Sequence, residues 1–151
     1  QLKLRLRRID GPEIRSRRRV EKLAAETARN WLVAFVLGKP LPITPPTRLR
    51  RPDVRAMLAL AAQPTVAVIC RGTDKYGRVL AELYRDGLNA SDWLLAQGLV
   101  QKYGGGGRKL RFTDAHLIEM VAKDRSAAFA PRLLAMTAEP YACDEAAPSA
   151  D

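Results

Sequence analysis

The amphipathic pattern of residues 15–37 constrains the fold more than any other part of the sequence. Its apolar residues recur at steps of three and four, the spacing of one face of an α-helix. They are Val20, Leu23, Ala24, Ala28, Trp31, Leu32 and Phe35. Gly38 and Pro40 follow directly and are typical of a helix C-terminus. The sequence therefore predicts one long helix that buries an apolar face against other elements.

The segment before this helix alternates between apolar and basic residues. Leucines at positions 2, 4 and 6 alternate with Lys3, Arg5 and Arg7. This alternation predicts a half-buried strand with one cationic face. The turn at residues 10–13 ends the strand, because glycine and proline interrupt a ladder of hydrogen bonds.

A hairpin and several short helices are predicted after the long helix. Residues 65–70 and 79–84 are rich in β-forming side chains and flank a turn with two glycines, which predicts a β-hairpin with Cys70 in its core. Asn89 or Ser91 can cap a short helix that ends at Gly98. Residues 112–123 and 126–138 are helical in pattern. Residues 41–44 suggest a short strand, and 53–62 a further helix.

The composition limits the class of protein and its partners. A chain of 151 residues fits one domain with a hydrophobic core. No apolar run approaches the roughly 18–20 residues of a membrane span. The net charge of +10 favours a polyanionic partner, which is DNA, RNA or anionic lipid. A basic solvent-exposed surface, or a subunit seated in a larger assembly, is the alternative.

Three motifs occur in a specific order along the chain. They read R-L-R-R-I-D-G-P-E from Arg5, T-D-K-Y-G-R-V-L from Thr73 and L-L-A-Q-G-L-V from Leu94. The ordered set resembles the staphylococcal nuclease (thermonuclease) family over residues 2–103. The resemblance implies an α+β fold with a small OB-type β-barrel, flanking helices and an inserted helix. It also implies calcium-dependent hydrolysis of phosphodiester bonds in DNA or RNA.

The resemblance implies a role for each residue of a catalytic site. Arg5 and Arg78 match the arginines that bind the scissile phosphate, a role that suits the bidentate guanidinium group. Asp10 and the backbone carbonyl of Gly11 match calcium ligands, and hard cations prefer such oxygens. Glu13 matches the group that positions or deprotonates the attacking water. By themselves, Asp10 and Glu13 also fit a strand-terminating turn with a helix-capping acid.

Three further residues match a nucleotide-binding region. Lys75 and Tyr76 match residues that contact the terminal phosphate of a bound nucleotide. Tyr103 lies near a tyrosine that packs on a base in the family, and such stacking gives binding that tolerates any sequence.

The two arginines also have structural interpretations. The alternative for Arg5 is a solvated strand face, and the alternative for Arg78 is a surface position in the hairpin.

The sequence also departs from the family pattern. The family carries an earlier strand pair with a second calcium-binding aspartate, and the counterpart of that aspartate would lie before Gln1. Without those strands the barrel has an open edge, which a partner protein could cover. Residues 44–64 form an insertion that could also serve contacts.

We therefore divide the chain into a nuclease-like domain at residues 1–103, a helical extension at 104–139 and an acidic tail at 140–151. A second hypothesis keeps this fold without catalysis, as a nucleic-acid-binding or structural subunit of a larger complex. No targeting segment is predicted, and the compartment is left open.

Overall fold

The computed structural model describes residues 3–38, 55, 66–109 and 111–123. Within these ranges the chain is a mixed α+β protein. Its helices are α1 (Arg19–Leu37), α2 (Ala90–Ala96) and α3 (Asp114–Lys123). Its strands are β1 (Leu4–Leu6), β2 (Ile9–Asp10), β3 (Ala67–Thr73), β4 (Val79–Arg85), β5 (Leu88–Asn89) and β6 (Gln101–Lys102).

Strand β4 is the centre of the larger sheet. It pairs in parallel with β1, in the register Leu4↔Val79 and Arg5↔Leu80. It pairs antiparallel with β3 and with β5. Strands β2 and β6 form a separate antiparallel ladder. Neither sheet closes into a barrel within the described ranges, so the α+β class is confirmed and the barrel stays a prediction.

The predicted N-terminal strand is divided into β1 and β2 by a turn at Arg8. This residue has a positive φ of 63°, which is uncommon for a residue other than glycine. Its guanidinium pairs with Asp92 at 3.2 Å, and its carbonyl accepts a hydrogen bond from the Tyr103 N–H at 2.8 Å. The turn lets β1 pair with β4 while β2 pairs with β6, so the chain changes sheets at this point.

Helix α1 begins four residues later than the sequence predicts. The preceding segment forms turns, in which the Ser16 N–H donates to the Glu13 carbonyl and the Arg18 N–H donates to the Ser16 hydroxyl. The predicted stop at Gly38 is confirmed, with a left-handed φ of 66°. A Cβ at this glycine would lie 1.9 Å from the Arg85 guanidinium, so the helix end is closely packed.

The core lies between the three helices and one face of β4. Trp93 of α2 packs on Trp31 and Phe35 of α1, with ring centroids 5.6 and 5.2 Å apart. Leu117 and Met120 of α3 are fully buried against the same cluster. The helical periodicity therefore identified the buried face of α1 correctly, and α3 completes the core from beyond residue 103.

The expectation that Cys70 lies in the core is wrong. Cys70 is exposed, and so is every other residue of β3. The helices cover β4 at Ala81, which is fully buried, whereas β3 lies at the edge of the sheet. An apolar run predicts a strand but does not specify which strand the helices cover.

Other predictions are confirmed or lie outside the described ranges. Asn89 caps α2 by accepting from the N–H groups of Ser91 and Asp92. The helix predicted at 112–123 is confirmed as α3. Four predicted segments lie outside the described residues: the strand at 41–44, the insertion at 44–64, the helix at 126–138 and the tail at 140–151. Within the insertion only Arg55 is described, and it is helical. Among the described residues, no helix is long and apolar enough to cross a membrane.

Candidate functional site

Three predicted site residues meet beside the β2–β6 ladder, together with one that was not predicted. Arg5 Nη2 lies 3.8 Å from Asp10 Oδ1, and Lys109 Nζ lies 2.9 Å from the same oxygen. The Arg5 guanidinium also lies over the Tyr103 ring, 5.3 Å from its centroid. We call Arg5, Asp10, Tyr103 and Lys109 the strand-end cluster. With two cations and one carboxylate, it carries a net positive charge.

The backbone pairing explains how these residues come together. Asp10 pairs with Gln101 across the β2–β6 ladder, and Tyr103 follows directly after β6. Arg5 is the middle residue of β1, three positions before the sheet-changing turn at Arg8. The turn at Arg8 thus folds the chain so that Asp10 returns towards Arg5.

A second group of predicted residues gathers in the β3–β4 turn. Lys75 Nζ and Arg78 Cζ lie 5.1 and 5.3 Å from the centroid of the Tyr76 ring. Asp74 holds Arg78 through a hydrogen bond of 2.7 Å from Nε to Oδ2. We call Asp74, Lys75, Tyr76 and Arg78 the turn cluster. Tyr76 is 70% exposed, so its ring is accessible to a ligand.

Asp74 organises this turn and was not singled out from the sequence. Its Oδ1 accepts hydrogen bonds from the N–H groups of Tyr76 and Arg78 at 2.9 and 3.0 Å. Burial pushes the pKa of the Asp74 carboxyl upwards, but these hydrogen bonds and the Arg78 charge outweigh that effect. The pKa therefore lies below its ordinary value, and the carboxylate stays ionised at neutral pH.

Arg5 of the strand-end cluster is on the strand that pairs with β4, which begins directly after the turn cluster. The N–H of Val79, directly after Arg78, donates to the Lys3 carbonyl at 3.0 Å. Arg5 lies beside Leu80 in the parallel register. The parallel pairing thus connects the turn cluster to the strand that carries Arg5. The Arg78 side chain remains 35% exposed, so part of its guanidinium is open to solvent.

Glu13 makes local contacts in the segment before α1. It is exposed, and its Oε1 accepts a hydrogen bond from the Arg15 N–H at 3.1 Å. Its own N–H donates to Glu21 at 3.4 Å. The Arg15 bond supports the turn of the alternative interpretation, but Glu13 does not cap α1, whose N-cap is Arg18 without a side-chain cap bond. The water-activating role of Glu13 remains a prediction from the resemblance.

Asp10 is the side chain that would hold a metal ion at the strand-end cluster. The described residues contain no group of three or more His, Cys, Asp or Glu side chains that could hold a metal. Yet Asp10 Oδ1 already accepts a cation, the Lys109 ammonium, at 2.9 Å. Asp10 and the adjacent Gly11 carbonyl are oxygen donors of the kind that hard cations use. A calcium ion held by Asp10 and Gly11 therefore stays a prediction from the resemblance.

Lys109 is a functional candidate that the sequence analysis missed. It belongs to a basic group with Arg108 and Arg111, directly after the glycine run at residues 104–107. A basic group beside a glycine run could have suggested a phosphate-binding loop. Only the fold shows that Lys109 contacts Asp10, because 99 positions separate them in the sequence.

Comparisons with known proteins add no relative. The chain matches no protein-family model, no curated protein and no solved structure. The resemblance to staphylococcal nucleases therefore depends on the ordered motifs, and the functional assignment depends on the site.

Proposed function

We propose that this protein is a nuclease that hydrolyses phosphodiester bonds of DNA or RNA. The observation that carries the proposal is the strand-end cluster, in which Arg5 contacts both Asp10 of the same motif and Tyr103, which lies far along the sequence. Arg78 directly precedes β4, the strand that pairs with β1 at Arg5. These groups are two arginines, a carboxylate and an aromatic ring, which are side chains suited to binding a phosphodiester.

The chemistry of phosphodiester hydrolysis suits these groups. The reaction needs neutralisation of charge on the phosphate oxygens and an activated water. Arg5 and Arg78 would donate paired hydrogen bonds to the phosphate, and Glu13 would take up a proton from the attacking water. Calcium, held by Asp10 and the Gly11 carbonyl, would add positive charge next to the phosphate when bound.

Substrate binding would use the aromatic residues of both clusters. Tyr103 offers a ring face for stacking a base, with the Arg5 guanidinium on the same ring. Lys75 and the exposed Tyr76 would contact a terminal phosphate. Such contacts are made to phosphates and base faces, so they would tolerate many sequences.

We further propose that the described strands belong to an OB-type barrel. Two features support a curved sheet. Strand β4 pairs with both parallel and antiparallel neighbours, and the chain changes sheets at Arg8. The exposed edge strand β3 is where further strands would continue the sheet.

Kinetics of two arginine variants test the nuclease proposal. Arg5→Gln and Arg78→Gln should each lower kcat/KM for oligonucleotide cleavage by about 100- to 1000-fold, since each removes a donor to the phosphate. Arg19→Gln is the matched control, because Arg19 is an exposed arginine on α1 in the groove beside α3. Equal activity of the site variants and this control would refute the assigned roles.

A second candidate is a non-catalytic subunit of a larger complex. The exposure of Val68 and Ile69 on the edge strand β3, at 46% and 39%, favours it because apolar edges commonly pair with other chains. In that case the natural protein would co-purify stably with partners and would leave nucleic acid intact. A free monomer that cleaves oligonucleotides would exclude this alternative.

A further inference from the structure

We propose that Arg7 and Arg71 form a second phosphate-binding subsite, which holds the backbone of a nucleic-acid strand next to the strand-end cluster. The two arginines flank Glu82 on the central strand β4. We call Arg7, Arg71 and Glu82 the arginine pair site. The inference rests on the proposed nuclease function and names a binding surface that the catalytic residues do not include.

Glu82 fixes both guanidinium groups. Arg7 Nη1 donates to Glu82 Oε1 at 3.3 Å. Arg71 donates to Glu82 Oε2 through both Nε and Nη2, each at 3.2 Å. The Tyr84 hydroxyl donates to the same Oε2 at 3.4 Å. Glu82 is 8% exposed, so a nearly buried carboxylate orients two long side chains that would otherwise be mobile.

The arginines nevertheless remain open to solvent. Their side chains are 39% and 48% exposed, and two positive charges outweigh the single carboxylate. Each guanidinium has five N–H donors. The bonds to Glu82 use only part of them, which leaves donors of both arginines for an anion. Fixed guanidinium groups lose little side-chain entropy when they bind such an anion.

The position of the subsite identifies its ligand. Arg5 is in β1 and Arg7 follows the end of that strand, where its N–H donates to the Ala81 carbonyl of β4 at 3.1 Å. A two-residue step along a strand is roughly 6.6 Å between Cα atoms. Leu80 pairs with Arg5, and Glu82, which holds Arg7, lies two residues further along β4 on the same face. This spacing is comparable to that of successive phosphates in a stretched single strand. The row continues from Arg5 of the proposed catalytic site, which favours a nucleic-acid backbone over other anions.

A bulge in β3 brings Arg71 to the other side of Glu82. Cys70 pairs with Ala81 and Thr73 with Val79, so Arg71 and Gly72 both lie opposite Leu80. Gly72 has a φ of 107°, a conformation that glycine adopts readily. Arg7 and Arg71 therefore approach Glu82 from the two strands that flank β4.

Salt-dependent binding of a single-stranded oligonucleotide tests the subsite. Binding to Arg7→Gln and Arg71→Gln is measured in EDTA, where calcium-dependent cleavage cannot occur, over a series of salt concentrations. Glutamine can still donate a hydrogen bond to Glu82. Loss of one phosphate contact should lower the magnitude of the slope of log affinity against log salt by about 0.7 per variant. Arg19→Gln, again the exposed arginine in the groove beside α3, should leave the slope unchanged.

The outcomes separate this inference from the nuclease proposal. Slopes of both site variants equal to that of Arg19→Gln would overturn the subsite, whether or not the wild-type protein cleaves. A reduced slope in a protein that fails to cleave would support the subsite and count against the nuclease. Preferential binding to vesicles rich in anionic lipid, with weak oligonucleotide binding, would also overturn it. If the Arg71→Gln variant unfolds, the salt slope of Arg7→Gln alone tests the subsite, because Arg71 still neutralises Glu82 in that variant.

Discussion

Asp10 is the residue on which the proposed chemistry depends most, and it is shared by two cations. Lys109 and Arg5 approach the same carboxylate oxygen at 2.9 and 3.8 Å. A metal ion that binds Asp10 would have to displace the Lys109 ammonium or share the carboxylate with it. Lys109 is therefore expected to weaken metal binding, even though its charge also favours a nearby phosphate.

Replacing Lys109 should make this competition visible. Lys109→Met is expected to tighten calcium binding by up to about fivefold, because a half-exposed ion pair contributes roughly 1 kcal/mol or less. Isothermal titration with calcium alone measures the change. Lys22→Met, which removes an exposed lysine of α1, is the control. Weaker calcium binding by Lys109→Met would show that the lysine supports the site.

Single residues also show where sequence reasoning succeeds. The alternation of β1 placed Arg5 on a face away from the leucines, and Arg5 does contact Asp10 and Tyr103. The contact of Lys109 with Asp10 could not be predicted, because it depends on the path of the loop after β6. Glu13 could be named only by resemblance, and the bonds it makes are to its own segment.

At the scale of elements, the turn between β3 and β4 is held by one carboxylate. Asp74 accepts two backbone hydrogen bonds and pairs with Arg78, and together these lower its pKa despite the opposing effect of burial. A group whose pKa is lower in the folded state stabilises the fold above the pKa of the unfolded chain. That stability is lost as the pH falls through the lower, folded value.

The Asp74→Asn variant should reveal this pH dependence. At neutral pH the variant should have a lower Tm than the wild type, because asparagine carries no charge for Arg78. The difference should shrink below about pH 3.9, where the unfolded chain begins to protonate the aspartate. Thermal unfolding across this range measures it, with the exposed Asp86→Asn as control. A Tm difference that stays constant down to strongly acidic pH would contradict the assigned role of Asp74.

The elements themselves were largely predictable, and their arrangement was less so. Periodicity identified α1, the hairpin and α3, and Gly38 marked the end of α1. The division of the first strand was not foreseen, because a left-handed turn at Arg8 carries no glycine signal. The exposure of Cys70 was not foreseen either, because helix coverage of a sheet is a tertiary property.

At the scale of the whole molecule, the fold defines where part of the excess positive charge lies. The net charge is +10, and both the strand-end cluster and the arginine pair site contain more cationic than anionic side chains. The helices cover one face of β4. Arg5, Arg7 and Arg71 lie on the opposite face of the sheet. The sequence predicted a polyanion as partner. The fold adds the positions of Arg5, Arg7 and Arg71, where the proposed polyanion would bind.

Cleavage of an oligonucleotide by the wild-type protein, in calcium and in EDTA, tests the central claim most directly. We predict cleavage in millimolar calcium, none in EDTA, and a kcat about 100- to 1000-fold lower for a folded Asp10→Asn variant. An oligonucleotide that stays intact with the natural protein in calcium would contradict the account, as would cleavage that is unchanged in Asp10→Asn.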